Sequence, residues 1–229
     1  MPRNPFSRRN GIKALLLVGT SLLFTPPIRR RLTHRAPLWI RGEQSLSTAL
    51  VDQRQNHGTT LETMCNAADL SYPPSELLLL GLKNEQRLEI YGRVSTSAPW
   101  SPLRAYPFTA TSGTLGPKLR EGDRQIPEGF YGIGYLNPNS SYHLSMQVTY
   151  PNDADLAQAR KDGRTNPGSD IMIHGSEVTV GCIPIGNDAI EELFLLVADT
   201  GIKHTKVWIA PHDFRTHPEP PPGDWTDWV

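Results

Sequence analysis

Short strand-like segments, separated by glycine, proline and asparagine, are the pattern that most constrains the fold of this 229-residue chain. Residues 77–83 and 87–93 flank a polar turn at 84–86, and the second segment alternates apolar and polar side chains, which predicts a hairpin. Further strands are predicted at 106–110, 130–135, 142–148, 171–174, 179–182 and 206–210. Because these segments are numerous and show no strand–helix–strand rhythm, the sequence predicts a mainly-β sandwich or barrel.

Helical signals are fewer. One helix is predicted between Asp188 and Gly201, with Asp188 as its cap, Glu191 completing a capping box and Gly201 ending it. Its apolar face has helical spacing and comprises Ile190, Leu193, Phe194 and Val197. Residues 45–70 are predicted to form one or two short helices broken at His57-Gly58, and residues 151–169 a long polar loop.

The charge is distributed unevenly along the chain. Nine of the 23 basic residues, and none of the 23 acidic ones, precede residue 43, so the remainder carries a formal charge of −9. A domain this acidic does not fit a nucleic-acid-binding protein, and no nucleic-acid partner is predicted.

The basic N-terminal region resembles an export signal. Arg8, Arg9 and Lys13 precede an apolar run at 14–24, which has the length of a signal-peptide core and is short for a membrane span. We therefore expect residues 1–30 to be a signal peptide or a signal anchor, and the protein to be exported to the periplasm or cell envelope. Membrane contact is expected only through this segment, if it is not cleaved. The predicted organisation continues with a linker and short helices (31–75), one domain (76–211) and a Pro-rich tail (212–229).

A histidine and a cysteine, His174 and Cys182, lie eight positions apart, each next to a glycine (Gly175 and Gly181). A thiol becomes a nucleophile when a base accepts its proton and backbone N–H groups stabilise the oxyanion that forms after attack. We expect a short hairpin-like loop to bring the imidazole within hydrogen-bond reach of the sulfur. Backbone N–H groups around Gly181 are expected to hold the oxyanion, and a backbone carbonyl near Gly175 to orient the imidazole.

Two other interpretations of these residues remain open. A glycine-flanked cysteine beside a strand is often a small core residue, and a histidine at a strand end is often only hydrogen-bonded. A zinc site is the second alternative, but no CxxC or HxxxH spacing supports it, so no metal is predicted. Its ligands would be His174, Glu177, Cys182 and His143. The second cysteine, Cys65, lies in a polar helix-like stretch and is predicted to be half-buried and free of any disulfide.

Three blocks of sequence carry a resemblance to a known family. They are residues 112–123 running into 127–131, residues 136–145 followed by 150–152, and residues 168–175 with 180–182. Together they resemble the L,D-transpeptidase (YkuD/ErfK) catalytic domain, and most closely its YafK-like branch, over residues 76–211. The resemblance implies a mainly-β domain with one helix after the catalytic cysteine and a short helical appendage at its N-terminal side.

The resemblance also implies an activity. Cys182 would be the nucleophile and His174 the general base, acting at the diaminopimelate carbonyl of a peptidoglycan stem peptide. A thioacyl-enzyme would form and be resolved by an amine or by water, without a metal or organic cofactor. The alternatives are a hydrolase that releases a wall-linked protein or peptide, and an inactive wall-binding module.

The sequence departs from the wider family at two positions. Most members carry a second histidine where this chain has Val180, and an arginine where it has Pro184. The candidates that would bind substrate in place of the arginine are Lys118, Arg120 and Arg164. His143 is a further candidate for substrate binding, but it is expected rather to pack beside the site. Asp123 and Glu128 are expected to fix the turns around Gly122 and Gly129.

Overall fold

The structure is a computed structural model that describes residues 42–218. The predicted export segment, the first part of the predicted linker (31–41) and the chain from residue 219 onward lie outside this part, so the predictions made for them remain predictions. Within residues 42–218, no helix combines the length and the apolar character needed to cross a membrane. From Gln44 onward, the described residues belong to one compact unit.

Three α-helices and eight strands make up this unit. The helices are α1 (Leu46–Ala67), α2 (Asp153–Lys161) and α3 (Asn187–Thr200), and a 3-10 turn follows at Ile202–His204. The strands are β1 (Glu76–Leu82), β2 (Arg87–Arg93), β3 (Ser101–Pro107), β4 (Gly129–Asn137), β5 (Ser145–Val148), β6 (Met172–His174), β7 (Ile183–Pro184) and β8 (Thr205–Ala210).

All eight strands join in one sheet, in the order β3-β2-β1-β8-β4-β5-β6-β7. The predicted hairpin is confirmed, because β1 and β2 pair antiparallel from Glu76↔Arg93 to Leu82↔Arg87. The last strand, β8, lies between β1 and β4, parallel to the first and antiparallel to the second. The mainly-β prediction is confirmed. Strand β6 ends at His174, strand β7 begins just after Cys182, and the two strands form one end of the sheet.

Helix α3 supplies much of the core. The predicted apolar face is confirmed, since Ile190, Leu193, Phe194 and Val197 are fully buried. The predicted cap is wrong: the N-cap residue is Gly186, which makes no side-chain cap hydrogen bond. Glu191 instead receives hydrogen bonds from two histidines on other segments, and these tertiary contacts take the side chain away from the local cap.

The break predicted at His57-Gly58 is also wrong, because α1 continues through it. Tertiary contacts with α3 outweigh the weak helix propensity of glycine. His57 bonds to Glu191, and one turn earlier the Arg54 guanidinium makes two hydrogen bonds, of 2.8 and 2.6 Å, to Asp199. Gly58 is itself buried on this helix.

The long polar loop predicted at 151–169 contains helix α2. Its start carries a capping box that the prediction missed: Asn152 accepts from the backbone N–H of Asp155, and Asp155 accepts from that of Asn152, each at 2.9 Å.

Three strands differ in their bounds from the predicted ones. They are β3 at 101–107, β5 at 145–148 and β7 at 183–184. Strand β5 begins later than predicted because His143 has a left-handed backbone (φ +80°), which cannot continue a strand.

Replacing Phe194 by alanine is expected to lower the free energy of unfolding by about 3–5 kcal/mol, because a large cavity would open in the core. Phe130→Ala is the matched control. Phe130 is 72% exposed, and its ring meets the Trp208 ring edge-on. The free energy of unfolding is therefore expected to fall by no more than about 1.5 kcal/mol. Urea unfolding followed by fluorescence measures both. Equal losses for the two variants would contradict the placement of α3 in the core.

Candidate active site

Strands β6 and β7 bring the predicted histidine and cysteine onto neighbouring segments. They pair in parallel, with Ile173 opposite Ile183 and His174 opposite Pro184. The expected hairpin-like loop is therefore wrong, because the segment between the strands crosses over and returns in the same direction. This register brings Cys182, just before β7, to the start of β6, while His174 lies at the end of β6.

The imidazole of His174 is held by the backbone of the next residue. Its side chain is buried, and Nδ1 lies 2.5 Å from the carbonyl oxygen of Gly175. This confirms the expected backbone carbonyl as the group that orients the ring. A carbonyl only accepts, so Nδ1 carries the proton and Nε2 is the nitrogen left to act as a base. Burial lowers the pKa of His174, although the hydrogen bond to the Gly175 carbonyl acts in the opposite direction. The lowered pKa favours a neutral ring at rest.

A tyrosine that the sequence analysis missed covers this ring. Tyr142 stacks on His174, with 4.7 Å between the ring centroids and 30° between the planes. Tyr142 is 44% exposed, so its ring forms part of the surface beside His174. The only sequence signal for it is its place next to His143 in the second family block.

The thiol of Cys182 is partly exposed and free. Among residues 42–218, its hydrogen bond goes to the carbonyl of Asp170, with 3.7 Å between sulfur and oxygen. The hydrogen bond expected between the thiol and His174 is therefore not made in this structure. Burial raises the pKa of Cys182, although the Met172 backbone N–H and the Lys118 ammonium group act in the opposite direction. The resting site is therefore a neutral thiol beside a neutral imidazole.

The two glycines that flank the pair are required by close contacts. A Cβ on Gly175 would lie 2.6 Å from Asn187 Oδ1 and 2.8 Å from the Tyr142 carbonyl oxygen. Gly181 has φ +112°, and a Cβ there would lie 2.9 Å from the carbonyl oxygen of Gln125. The Gly181 N–H donates to Ser112 Oγ at 2.8 Å, so this group serves the loop and not an oxyanion.

Lys118 is, among residues 42–218, the cation whose charge acts on the Cys182 thiol. It is buried, and its Nζ donates to Asp123 Oδ1 at 2.7 Å and to the Arg120 carbonyl at 3.0 Å. Asp123 also accepts backbone N–H bonds from Leu119, Arg120 and Gln125. Burial alone would raise the pKa of Asp123, but these hydrogen bonds lower it. The expected turn-fixing role of Asp123 is thus confirmed.

The remaining candidates have different surroundings. Arg120 is exposed, whereas Arg164 bonds to Asp162 and to the Leu119 carbonyl and so fixes the same loop. His143 donates to Glu191 at 2.5 Å. Glu128 accepts from Lys83 and from the Gly116 backbone N–H, so it fixes the loop at Gly116 and not the predicted turn around Gly129. Among residues 42–218, no three histidine, cysteine or acidic side chains are grouped to hold a metal ion.

Cys65, predicted to be half-buried, is completely buried within α1. Burial raises the pKa of its thiol. Both cysteines are free. The two thiols thus differ in access, because only Cys182 reaches the surface.

Comparison with known proteins identifies the domain. Residues 81–209, more than half of the chain, match the model of the YkuD family, described as the L,D-transpeptidase catalytic domain. The chain is 36% identical over 117 residues to Escherichia coli K12 YafK, whose L,D-transpeptidase assignment is itself provisional. This alignment covers 50% of the chain and 44% of YafK, so the chain spans about half the length of that curated relative.

Solved structures give similar matches. Pgp2 of Campylobacter jejuni, described as a helical cell shape determining protein, is 27% identical with a TM-score of 0.49, over 60% of this chain and 48% of Pgp2. Bd1075 of Bdellovibrio bacteriovorus is 21% identical with a TM-score of 0.43, over the same shares. The family match runs from β1 to β8 and includes both His174 and Cys182. The chain therefore belongs to the YkuD family of L,D-transpeptidase catalytic domains.

Proposed function

We propose that this protein is a cysteine-dependent L,D-transpeptidase that acts on peptidoglycan stem peptides in the cell envelope. The observation that carries the proposal is the parallel pairing of β6 and β7, which places a partly exposed thiol and a buried, oriented imidazole on adjoining segments of a YkuD domain. Cys182 is the nucleophile and His174 is the general base. The export segment predicted at 1–30 supports a location outside the cytoplasm.

The reaction begins with a proton transfer. His174 Nε2 takes the proton of Cys182 as the sulfur attacks the diaminopimelate carbonyl carbon of the stem peptide. Because both groups are neutral at rest, the proton moves during the attack and not before it. The sulfur's bond to the Asp170 carbonyl is given up at this step. Catalytic hydrogen bonds commonly tighten only when substrate binds, which fits the resting geometry.

The first half-reaction ends when the bond between the carbonyl carbon and the leaving amine breaks. The imidazolium of His174 protonates the departing amine of the D-residue, and a thioester remains on Cys182. In the second half-reaction, an amine of another stem peptide gives up a proton to His174 and attacks the thioester. The C–S bond then breaks, and the imidazolium returns the proton to the departing sulfur, which restores the thiol. Water in place of that amine gives hydrolysis.

Two cations are proposed to replace the family arginine missing at Pro184. The positive charge of the Lys118 ammonium group acts on the Cys182 sulfur and lowers the pKa of that thiol. It therefore favours the negative charge that develops on the sulfur during the reaction. Arg120 is exposed at the same loop and is available to bind a substrate carboxylate. Arg164 holds the loop through the Leu119 carbonyl.

Cys182→Ala tests the activity directly. The protein is incubated with a diaminopimelate-containing tetrapeptide, and free D-Ala, cross-linked dimer and the mass of the acylated protein are measured. We expect the variant to lose the adduct and all products, and Cys65→Ala, the matched control, to behave as wild type because that thiol is buried. His174→Ala is expected to slow turnover by about 10²–10⁴-fold.

The products distinguish the proposal from its alternatives. Dimer formation supports transpeptidation, whereas free peptide or released protein without dimer indicates a hydrolase. Wall binding that survives in Cys182→Ala, together with a wild type that never acylates, would establish an inactive binding module and overturn the proposal.

The pH dependence of alkylation tests the state of the thiol. Because the pKa of Cys182 is raised, labelling by iodoacetamide should keep rising through and beyond the range of an ordinary thiol, about pH 8.5. Cys182 should react faster than buried Cys65, and more slowly in His174→Ala. Peptide mass spectrometry measures both sites. A labelling rate that is already constant near pH 6 would indicate a preformed thiolate and contradict the neutral pair.

A further inference from the structure

A buried polar cluster lies between α1, α3 and the segment that precedes β5, and the reaction described above does not use it. Glu191 of α3 is at its centre. Its two oxygens accept hydrogen bonds from His57 Nε2 at 2.9 Å and from His143 Nε2 at 2.5 Å. The side chain of Glu191 is 13% exposed, that of His57 16% and that of His143 7%. Three elements distant in sequence therefore meet at one carboxylate.

The charge state of this cluster is defined. Burial alone would raise the pKa of Glu191, but the hydrogen bonds from His143 and His57 lower it to about 2. The group is thus a carboxylate at neutral pH and only accepts hydrogen bonds. Both histidines must then carry a proton on Nε2.

The contact with His143 secures an unusual backbone. His143 has φ +80°, a left-handed conformation that a residue with a side chain keeps only when its surroundings hold it. Its neighbours on both sides touch the active site. Tyr142 stacks on His174, and the Leu144 carbonyl accepts from the Gly175 N–H at 3.2 Å. The turn at His143 therefore decides where the Tyr142 ring lies.

We propose that Glu191 is a positioning residue that acts through His143 and Tyr142 to hold the His174 ring against rotation. The inference rests on the proposed function, because it takes His174 as the base. A single hydrogen bond from Nδ1 to Gly175 leaves the ring free to swing about that bond, and a stacked neighbour restricts the swing. The face of the tyrosine also favours the imidazolium that forms during the reaction. His143 is thereby a positioning residue and not a substrate ligand.

Glu191→Gln is the first test. The amide keeps the shape of the side chain but has only one accepting oxygen, so it cannot serve both N–H groups. We expect kcat to fall by about 10- to 100-fold, as for a displaced catalytic group, with KM little changed because Glu191 does not touch substrate. Tyr142→Leu should give the same loss, and Tyr142→Phe, which keeps the ring, should restore most of the rate.

A double variant tests whether the two residues act on one path. If Glu191 works through Tyr142, Glu191→Gln should cause no further loss in a Tyr142→Leu background. Multiplied losses in the double variant would overturn the proposal. Glu192→Gln is the matched control, because this neighbouring glutamate bonds to Arg104 and Tyr106 of β3 and not to His143. Its other oxygen lies 3.9 Å from His57 Nδ1, so the variant also shows whether a disturbance at His57 alone lowers kcat. Its kcat should remain close to wild type.

Nuclear magnetic resonance of the His174 ring gives a readout that does not depend on turnover. The stacked tyrosine displaces the imidazole proton signals by its ring current. This displacement should persist in Tyr142→Phe and Glu192→Gln and disappear in Tyr142→Leu and Glu191→Gln. Unchanged His174 signals in Glu191→Gln would overturn the positioning role, whereas an inactive wild type with the expected signals would overturn only the proposed function. If Glu191→Gln does not fold, His143→Ala replaces it, because it removes the hydrogen bond to Glu191. The displacement of the His174 signals should again disappear, and its persistence would overturn the positioning role.

Discussion

The close approach of Gly175 to the first turn of helix α3 is the contact on which the site depends. There is no room for a Cβ between this residue, the Asn187 side chain and the Tyr142 carbonyl. The same residue supplies the carbonyl that orients His174 and an N–H that bonds to Leu144. A single backbone position thus joins the end of β6, the start of α3 and the segment before β5, and its lack of a side chain allows all three to meet.

Electrostatics at the site follow from burial. The apolar core around β6 penalises both an imidazolium and a thiolate, so His174 and Cys182 are neutral together at rest. The nearby charges in turn have partners: Lys118 forms an ion pair with Asp123, and the Glu191 carboxylate accepts hydrogen bonds from two histidine N–H groups. The site thus surrounds a neutral thiol and imidazole with charges that hydrogen bonds hold in place.

Much of the fold was predictable from local pattern. Alternation in residues 87–93 predicted the hairpin, and the helical repeat of Ile190, Leu193, Phe194 and Val197 predicted the buried face of α3. The errors occurred where distant contacts outweigh local preference. Helix α1 runs through Gly58 because His57 and Arg54 bond to α3, and Glu191 leaves its predicted cap for His57 and His143. The capping box of α2 was a local signal that was overlooked.

The sequence by itself determined the residue types, the glycine-flanked His174 and Cys182 and the family blocks around them, because these are properties of local order along the chain. Only the tertiary structure decided that β6 and β7 run parallel, that the thiol bonds to Asp170, and that Tyr142 covers the imidazole. Each of these depends on segments brought together by burial of the core. Spacing along the chain does not specify whether two neighbouring strands run parallel or antiparallel, or which ring a side chain packs against.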